Sequence, residues 1–314
     1  MNKILKQSPI LLLILATMIW GGNFVIGRAI VDELPPFTLA FWRWVVAAFV
    51  FIPFVWKEIV DKKEILLANV KFLFLMALTG VAGFNTLLYV GLHYTTSINA
   101  SLVNTTAPLM IATFSYFLLK EKLKRNQLLG IILSFSGVMV IFSQGSLEVL
   151  LTLSFNIGDV IVIIAVILWA LYSVTIKYHS NRLPPLSSFA ASLVIGTFIL
   201  FPFFLWENVI VTKETVWSIK SFGTISYVGI LASIVAFLAW NSAVSQIGPG
   251  KAGIFLPLIP VFTTVFAIIF LGERLVWFQV FGGLMAVLGI YLATRTREGS
   301  KKREYISKAE QQIS

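Results

Sequence analysis

Charge is what this chain has least of. Only 12% of its 314 residues are Asp, Glu, Lys or Arg, and 58% are hydrophobic; soluble domains carry roughly 25% charged residues. So few charges cannot cover a water-facing surface, so lipid must face most of the molecule. Cysteine is absent, which excludes disulfides, thiolate metal sites and thiol nucleophiles. Histidine occurs only at His93 and His179. There is no His-Glu-x-x-His, no Gly-x-Ser-x-Gly and no acidic metal pair within an apolar run, so a membrane enzyme lacks its catalytic cluster. No Walker A sequence is present, which removes ATP as the direct fuel. No metal or cofactor is expected.

What is present is a succession of apolar runs near the length of about 20 residues that crosses a bilayer. Ten spans are predicted: Pro9–Ile30, Phe37–Trp56, Lys71–Leu92, Ile98–Leu119, Gln127–Phe142, Ile157–Lys177, Leu186–Trp206, Phe222–Ala243, Ala252–Leu271 and Trp277–Thr294. The expected fold is all-α, ten-helix and integral to the lipid bilayer. The first run is too long for a signal peptide and lacks an Ala-x-Ala cleavage pattern. With the N-terminus in the cytoplasm, inside segments hold nineteen Lys and Arg and outside segments hold four: Arg28, Lys213, Lys220 and Arg274. That asymmetry is the positive-inside pattern. It places both termini in the cytoplasm of a cell-membrane protein and accounts for the net charge of +10. The basic stretches read as topology determinants, and no nucleic-acid partner is expected.

The chain repeats itself. Trp20 recurs as Trp169, Arg28 as Lys177 and Pro35-Pro36 as Pro184-Pro185, each 149 residues on. The segment from Phe51 through Pro53 to Trp56 is echoed by Phe201, Pro202 and Trp206. At an offset of 152, Pro108 pairs with Pro260, Glu121 with Glu273, Lys122 with Arg274, Leu123 with Leu275, Gln127 with Gln279, Gly130 with Gly282 and Gly137 with Gly289. The expected organisation is therefore a first five-helix repeat over residues 1–150, a second over 151–296 and a polar cytoplasmic tail over 297–314. Five spans per copy is an odd number, so the second copy enters from the opposite side, as in the inverted repeats of secondary transporters.

Two five-helix halves, Trp20-Gly21-Gly22-Asn23-Phe24 in the first span, Pro35-Pro36 followed by Arg43, and the paired elements Lys120-Glu121-Lys122-Leu123 and Gly272-Glu273-Arg274-Leu275 resemble the EamA group of the drug/metabolite transporter superfamily. The resemblance covers nearly the whole chain. It implies ten helices, a central cavity built from spans 1, 3, 4, 6, 8 and 9, and export of amino acids, other metabolites or toxic compounds. Ser192 stands at the equivalent of Arg43, so the halves are not chemically symmetric.

The candidate substrate-binding residues are polar or aromatic groups on those spans: Trp20, Asn23, Asn85, Tyr89, Asn104, Trp169, Tyr172, Trp240 and Asn241. A buried amide needs partners, so each Asn binds solute or ties helices together. Tryptophans form aromatic walls for amphipathic solutes. Trp42, Trp44, Trp56 and Trp206 read instead as interface-belt residues. Arg43 is the one cation well inside a span. It serves a solute carboxylate or a switching ion pair, or it is tied to helix carbonyls. Arg28 and Lys177 draw anions to the two mouths or snorkel at helix ends. Pro108, Pro257 and Pro260 interrupt spans 4 and 9 as hinges or fixed kinks. Glu121 and Glu273 read as locks taking hydrogen bonds from the following loop and helix start. Gly130, Ser134 and Gly137, with Gly282, Ala286 and Gly289, make small faces that pack within the monomer or form a homodimer seam.

These features predict a secondary transporter of a small metabolite, an amino acid or related amphipathic compound, exported by alternating access. No Asp or Glu lies in the middle of a span, and Asp159 sits near an outer edge. Facilitated transport is therefore the first mechanism, and proton coupling through His93 or the solute the second. A proton-coupled efflux pump for drugs or toxic compounds is the alternative function. A membrane enzyme or a channel fits less well.

Overall fold

The structure is a computed structural model that describes residues 8–119, 125–152, 155–179, 183–211, 214–247, 252, 255–289 and 291–292. Outside the described residues lie Glu121 with Lys120, Lys122 and Leu123, as well as Arg182, Lys213, Lys251 and the tail 297–314. The side chains of Gln127, Ser134, Lys177 and His179 also lie outside them.

Among the described residues the chain is helical, with no strand. Helix α1 is Pro9–Ala29, α2 is Pro36–Asp61, and α3 is the short Lys63–Ala68. Helix α4 is Val70–Leu92, with a π-helical stretch over Ala77–Phe84. Then follow α5 Ser97–Asn104, α6 Ala107–Leu119, α7 Arg125–Phe142, α8 Leu147–Thr152 and α9 Ile157–His179. Helix α10 is Pro185–Leu205 with a π-helical end over Trp206–Ile210. Helix α11 comprises Ile219–Ser226, a π-helical stretch over Tyr227–Val235, and Ala236–Ile247. Helix α12 is Leu258–Leu271 and α13 is Trp277–Gly289.

Six of these are long and apolar enough to cross a bilayer: α1, α2, α4, α9, α10 and α11. Two of the others depart from the predicted spans. The fourth span is two helices, broken at Thr105 and Thr106. Their hydroxyls donate to the carbonyls of Leu102 at 2.6 Å and Val103 at 2.8 Å, and a new helix starts at Ala107 with Pro108 in its first turn, where proline is tolerated. The ninth is a 14-residue helix with Pro257 at its N-cap. Pro108, Pro257 and Pro260 thus all sit at or near helix starts, where the N–H a proline lacks has no intrahelical acceptor. The prolines that fall inside described helices are Pro53 in α2 and Pro202 in α10, 149 residues apart.

Helices α2 and α10 form one packed pair. Each cap crosses to the other helix. Glu58, near the end of α2, accepts from Ser187 N at 3.2 Å and Ser187 Oγ at 3.0 Å, at the start of α10. Glu207, past the end of α10, accepts from Phe37 N at 3.2 Å, Thr38 N at 2.7 Å and Thr38 Oγ at 2.9 Å, at the start of α2. A carboxylate at each C-terminus reaching the partner's N-terminus makes the pair antiparallel. Anions at helix N-termini also oppose the positive dipole end. Around this pair, helices from the first and second parts of the chain interleave. Helix α1 packs on α11 and α12, while α9 packs on α4 and α6.

Carboxylates hold the loops as well. Glu273 accepts from Ser97 N at 3.0 Å, Ser97 Oγ at 2.8 Å and Ile98 N at 3.2 Å. It therefore caps α5, a helix far away in sequence. Glu33 takes Ser218 Oγ at 2.5 Å, Ser221 Oγ at 3.0 Å and Lys220 Nζ at 2.9 Å. The Ser218 hydroxyl, then Lys220, holds the Glu33 carboxyl below its ordinary value of 4.5. Arg28 donates to the carbonyls of Leu92 at 2.7 Å and His93 at 3.4 Å, so it closes the C-terminus of α4. The small faces of α7 and α13 meet inside the monomer: a Cβ on Gly137 would run into the carbonyl oxygen of Gly282, and the reverse holds too.

The crosswise caps give a stability prediction. Glu207→Ala removes three hydrogen bonds to a buried carboxylate and is expected to cost about 2–3 kcal/mol. Glu207→Gln, which keeps one acceptor, is expected to cost less. Thermal unfolding of purified protein in detergent measures both; equal melting temperatures for wild type and Glu207→Ala would remove the caps as a stabilising element.

Candidate functional site

Six segments converge on one internal cavity. It is lined by Trp20, Asn23 and Phe24 of α1, Phe84, Asn85 and Leu88 of α4, Asn104 of α5, Trp169 of α9, Phe237 of α11, and Leu256 and Ile259 at the start of α12. These belong to the first, third, fourth, sixth, eighth and ninth predicted spans. The walls are aromatic. Trp20 and Trp169 meet edge-to-face at 6.1 Å, Phe237 lies 5.7 Å from Trp20 and 5.8 Å from Trp169, and Phe84 is 5.0 Å from Trp169. The cavity measures about 30 Å³, room for roughly two waters. Ligand sites run to several hundred, so this conformation is closed around it.

Beside the cavity is a buried cation. Arg43, 1% exposed, donates from Nε to Ser233 Oγ at 2.6 Å, and from Nη1 to Tyr89 Oη at 2.6 Å and Asn23 Oδ1 at 3.2 Å. Tyr89 Oη donates in turn to Asn23 Oδ1 at 2.8 Å. The guanidinium lies 5.0 Å from the centre of the Trp44 ring and 5.8 Å from that of Tyr89. Among the described residues no carboxylate pairs with it. Desolvating a cation costs several kcal/mol, and here neutral dipoles and ring faces offset that cost. The partners are side chains of α1, α4 and α11, not the helix carbonyls.

The π-helical stretches of α4 and α11 explain two of these polar positions. A π turn leaves carbonyls out of the i−4 ladder. Asn85 Nδ2 donates to the Gly80 carbonyl at 3.0 Å, and Ser233 Oγ donates to the Val228 carbonyl at 2.8 Å. Both bonds reach back five residues, and the two pairs stand 148 residues apart. Trp44 Nε1 donates to the Val81 carbonyl at 3.0 Å and Trp20 Nε1 to the Ala232 carbonyl at 3.1 Å, so indoles tie further carbonyls of the same stretches.

The predicted residues divide as follows. Trp20, Asn23, Asn85, Asn104 and Trp169 line the cavity. Tyr89 stands behind Asn23, and Tyr172 packs against Trp169 with tilted rings 5.3 Å apart. Trp240 touches Trp20 at 5.6 Å without lining the space. Asn241 is exposed; one step along a helix turns it 100° from Trp240 and away from the cavity. Trp44 corrects its reading as a belt residue: it is fully buried. Phe84, Phe237 and Ser233 were not singled out by sequence. Ser233 carried a signal, its place opposite Asn85 in the repeat; the two Phe are indistinguishable among 27.

The sequence profile of the EamA-like transporter family matches this chain twice, over residues 7–143 and 156–295. The transporter YyaM of Bacillus subtilis (strain 168), itself uncharacterized, is 30% identical over 292 residues, 92% of this chain and 95% of that protein. An uncharacterized transporter of Archaeoglobus fulgidus is 31% identical over 290 residues, 90% and 96% of the two chains. A solved crystal structure shares the fold at a TM-score of 0.61, with 18% identity over 92% of this chain and 97% of that one.

The Arg43 cluster carries its own test. Tyr89→Phe deletes an acceptor of the guanidinium and a donor to Asn23. It is expected to destabilise the protein by about 2 kcal/mol, read as a lower melting temperature in detergent. An unchanged value would show that Tyr89 Oη does not help hold the buried charge.

Proposed function

The chain belongs to the EamA-like transporter family, and on that premise we propose that it is a secondary carrier for a small amphipathic metabolite, an amino acid or a related compound. It is a multi-pass membrane protein, and its relatives are named transporters. In this reading two five-helix halves, residues 1–150 and 151–296, insert with opposite orientation in the cell membrane and leave both termini in the cytoplasm. The family profile matching once per half, the crosswise Glu58 and Glu207 caps and the interleaving of α1 and α9 support that arrangement. Solute leaves the cell as the halves exchange conformations.

The observation that carries the proposal is the closed aromatic cavity, whose walls come from both halves. A space too small for any metabolite must enlarge to admit one, and a carrier between its two open states would have such a space. The π-helical stretches of α4 and α11 border the cavity. Their side-chain-bonded carbonyls give each helix a second hydrogen-bond register without stranding a polar group in lipid. They serve as the moving parts, together with the broken helix starts at Pro108 and Pro260. Among the described residues no carboxylate lines the cavity, which favours facilitated movement down a gradient over proton coupling.

Flux of radiolabelled amino acids and metabolites into proteoliposomes, with and without a pH gradient, tests this. Saturable uptake of at least one solute is expected. Trp20→Ala and Asn85→Ala should each reduce that flux to about a tenth or less while the protein still elutes as a folded monodisperse species. Full activity in both variants, or the absence of saturable flux across the panel, would reject the proposal.

A further inference from the structure

We propose that the cavity selects solutes by charge, admitting molecules that carry a carboxylate and excluding organic cations, with Asn23 as the carboxylate-binding group and Arg43 as the positioning residue behind it. The inference rests on the reading of the cavity as the solute site. An arginine has only donors, so the Asn23 atom 3.2 Å from Arg43 Nη1 must be the amide oxygen. Tyr89 Oη donates to the same oxygen. The Asn23 amide is therefore fixed, with Nδ2 turned away from the guanidinium. Nδ2 donates to none of the described residues, and Asn23 lines the cavity. A solute meets two N–H donors there, polarised by the charge behind them.

The opposite polarity is fixed nearby by the same logic. Asn85 Nδ2 is held by the Gly80 carbonyl, which only accepts, and this leaves Asn85 Oδ1 for the cavity it lines. Asn104 Oδ1 is buried without a partner, on a residue 7% exposed in the same wall. One full positive charge acts on the space, and among the described residues no carboxylate lines it. In a low-dielectric surround an uncompensated guanidinium attracts anionic groups and repels cationic ones. The ring faces of Trp20 and Trp169 attract cations only weakly, too little to offset a whole charge one residue behind the wall. An ammonium is accepted on a molecule whose own carboxylate neutralises Arg43, with the two amide oxygens to receive it. A lone amine is not.

Three near-isosteres test the filter: L-phenylalanine, 3-phenylpropanoate and phenethylamine, added to the purified full-length protein and read as shifts in melting temperature. The first two should bind, and each should be favoured over phenethylamine by about tenfold or more. Asn23→Asp is nearly isosteric, pairs Arg43 with a carboxylate and removes the donors. It should lose 3-phenylpropanoate and gain phenethylamine, a reversal that a merely structural role would not produce. Arg43→Gln should abolish the preference, and Arg43→Lys should restore it in part. If either Arg43 variant fails to fold, Asn23→Asp decides alone. Phenethylamine bound by the wild type as tightly as 3-phenylpropanoate, no shift with any of the three, or an unchanged preference in Asn23→Asp would overturn the proposal. Saturable flux together with amine preference would reject the filter and spare the carrier; carboxylate binding without flux would do the reverse.

Discussion

Everything in this fold leans on the exchange of carboxylate caps between α2 and α10. A helix begins with N–H groups that have no intrahelical acceptor, and lipid offers no water to satisfy them. Here Glu58 satisfies the start of α10, and Glu207 satisfies the start of α2. Neither helix can shift or reverse without uncovering the amides of the other. The antiparallel pair is thereby fixed, and the cross-packing of α1 onto α11 and α12 and of α9 onto α4 and α6 is arranged about it. The cavity lies among these helices, lined by residues from both the first and the second part of the chain.

Within that frame the chemistry is concentrated on one uncompensated charge. Arg43 is held by Ser233, Tyr89 and Asn23, side chains drawn from three other helices and both halves. Such an arrangement is costly in a low-dielectric interior, and a bundle kept only for stability would be better served by an apolar residue there. The cluster also couples parts that a carrier needs to couple. Ser233 belongs to the π-helical stretch of α11 and bonds its free carbonyl, while Asn23 faces the cavity. In the proposed reading, a solute that engages Asn23 acts on a network anchored in the π-helical stretch of α11.

Much of this was legible in the sequence, for physical reasons that also mark where legibility ends. Long apolar runs exposed the membrane character and six spans outright. The repeat announced itself through Trp20 and Trp169, Pro53 and Pro202. Trp20, Asn23, Asn85, Asn104 and Trp169, picked as polar or aromatic residues within spans, all line the cavity. Asn241 does not, because span membership says nothing of the face on which a residue points. Trp44 was misread because its nearness to a helix end suggested the interface, while its face of α2 is buried and its indole donates to the Val81 carbonyl of α4. The crosswise caps stayed hidden for a different reason. Glu58 and Glu207 stand 149 residues apart, as repeat mates do, but a carboxylate near a helix end does not reveal which distant helix start it caps. The π-helical stretches leave no mark on hydropathy at all.

The central claim is that equivalent loops of the two halves lie at opposite faces of the membrane. Because the chain has no cysteine, single cysteines can be placed on an unaltered background. Asp32→Cys, in the turn before α2, and Leu183→Cys, in the turn before α10, should react with a membrane-impermeant maleimide from opposite sides of sealed vesicles. Labelling of both from the same side would contradict the antiparallel arrangement and, with it, the shared chamber.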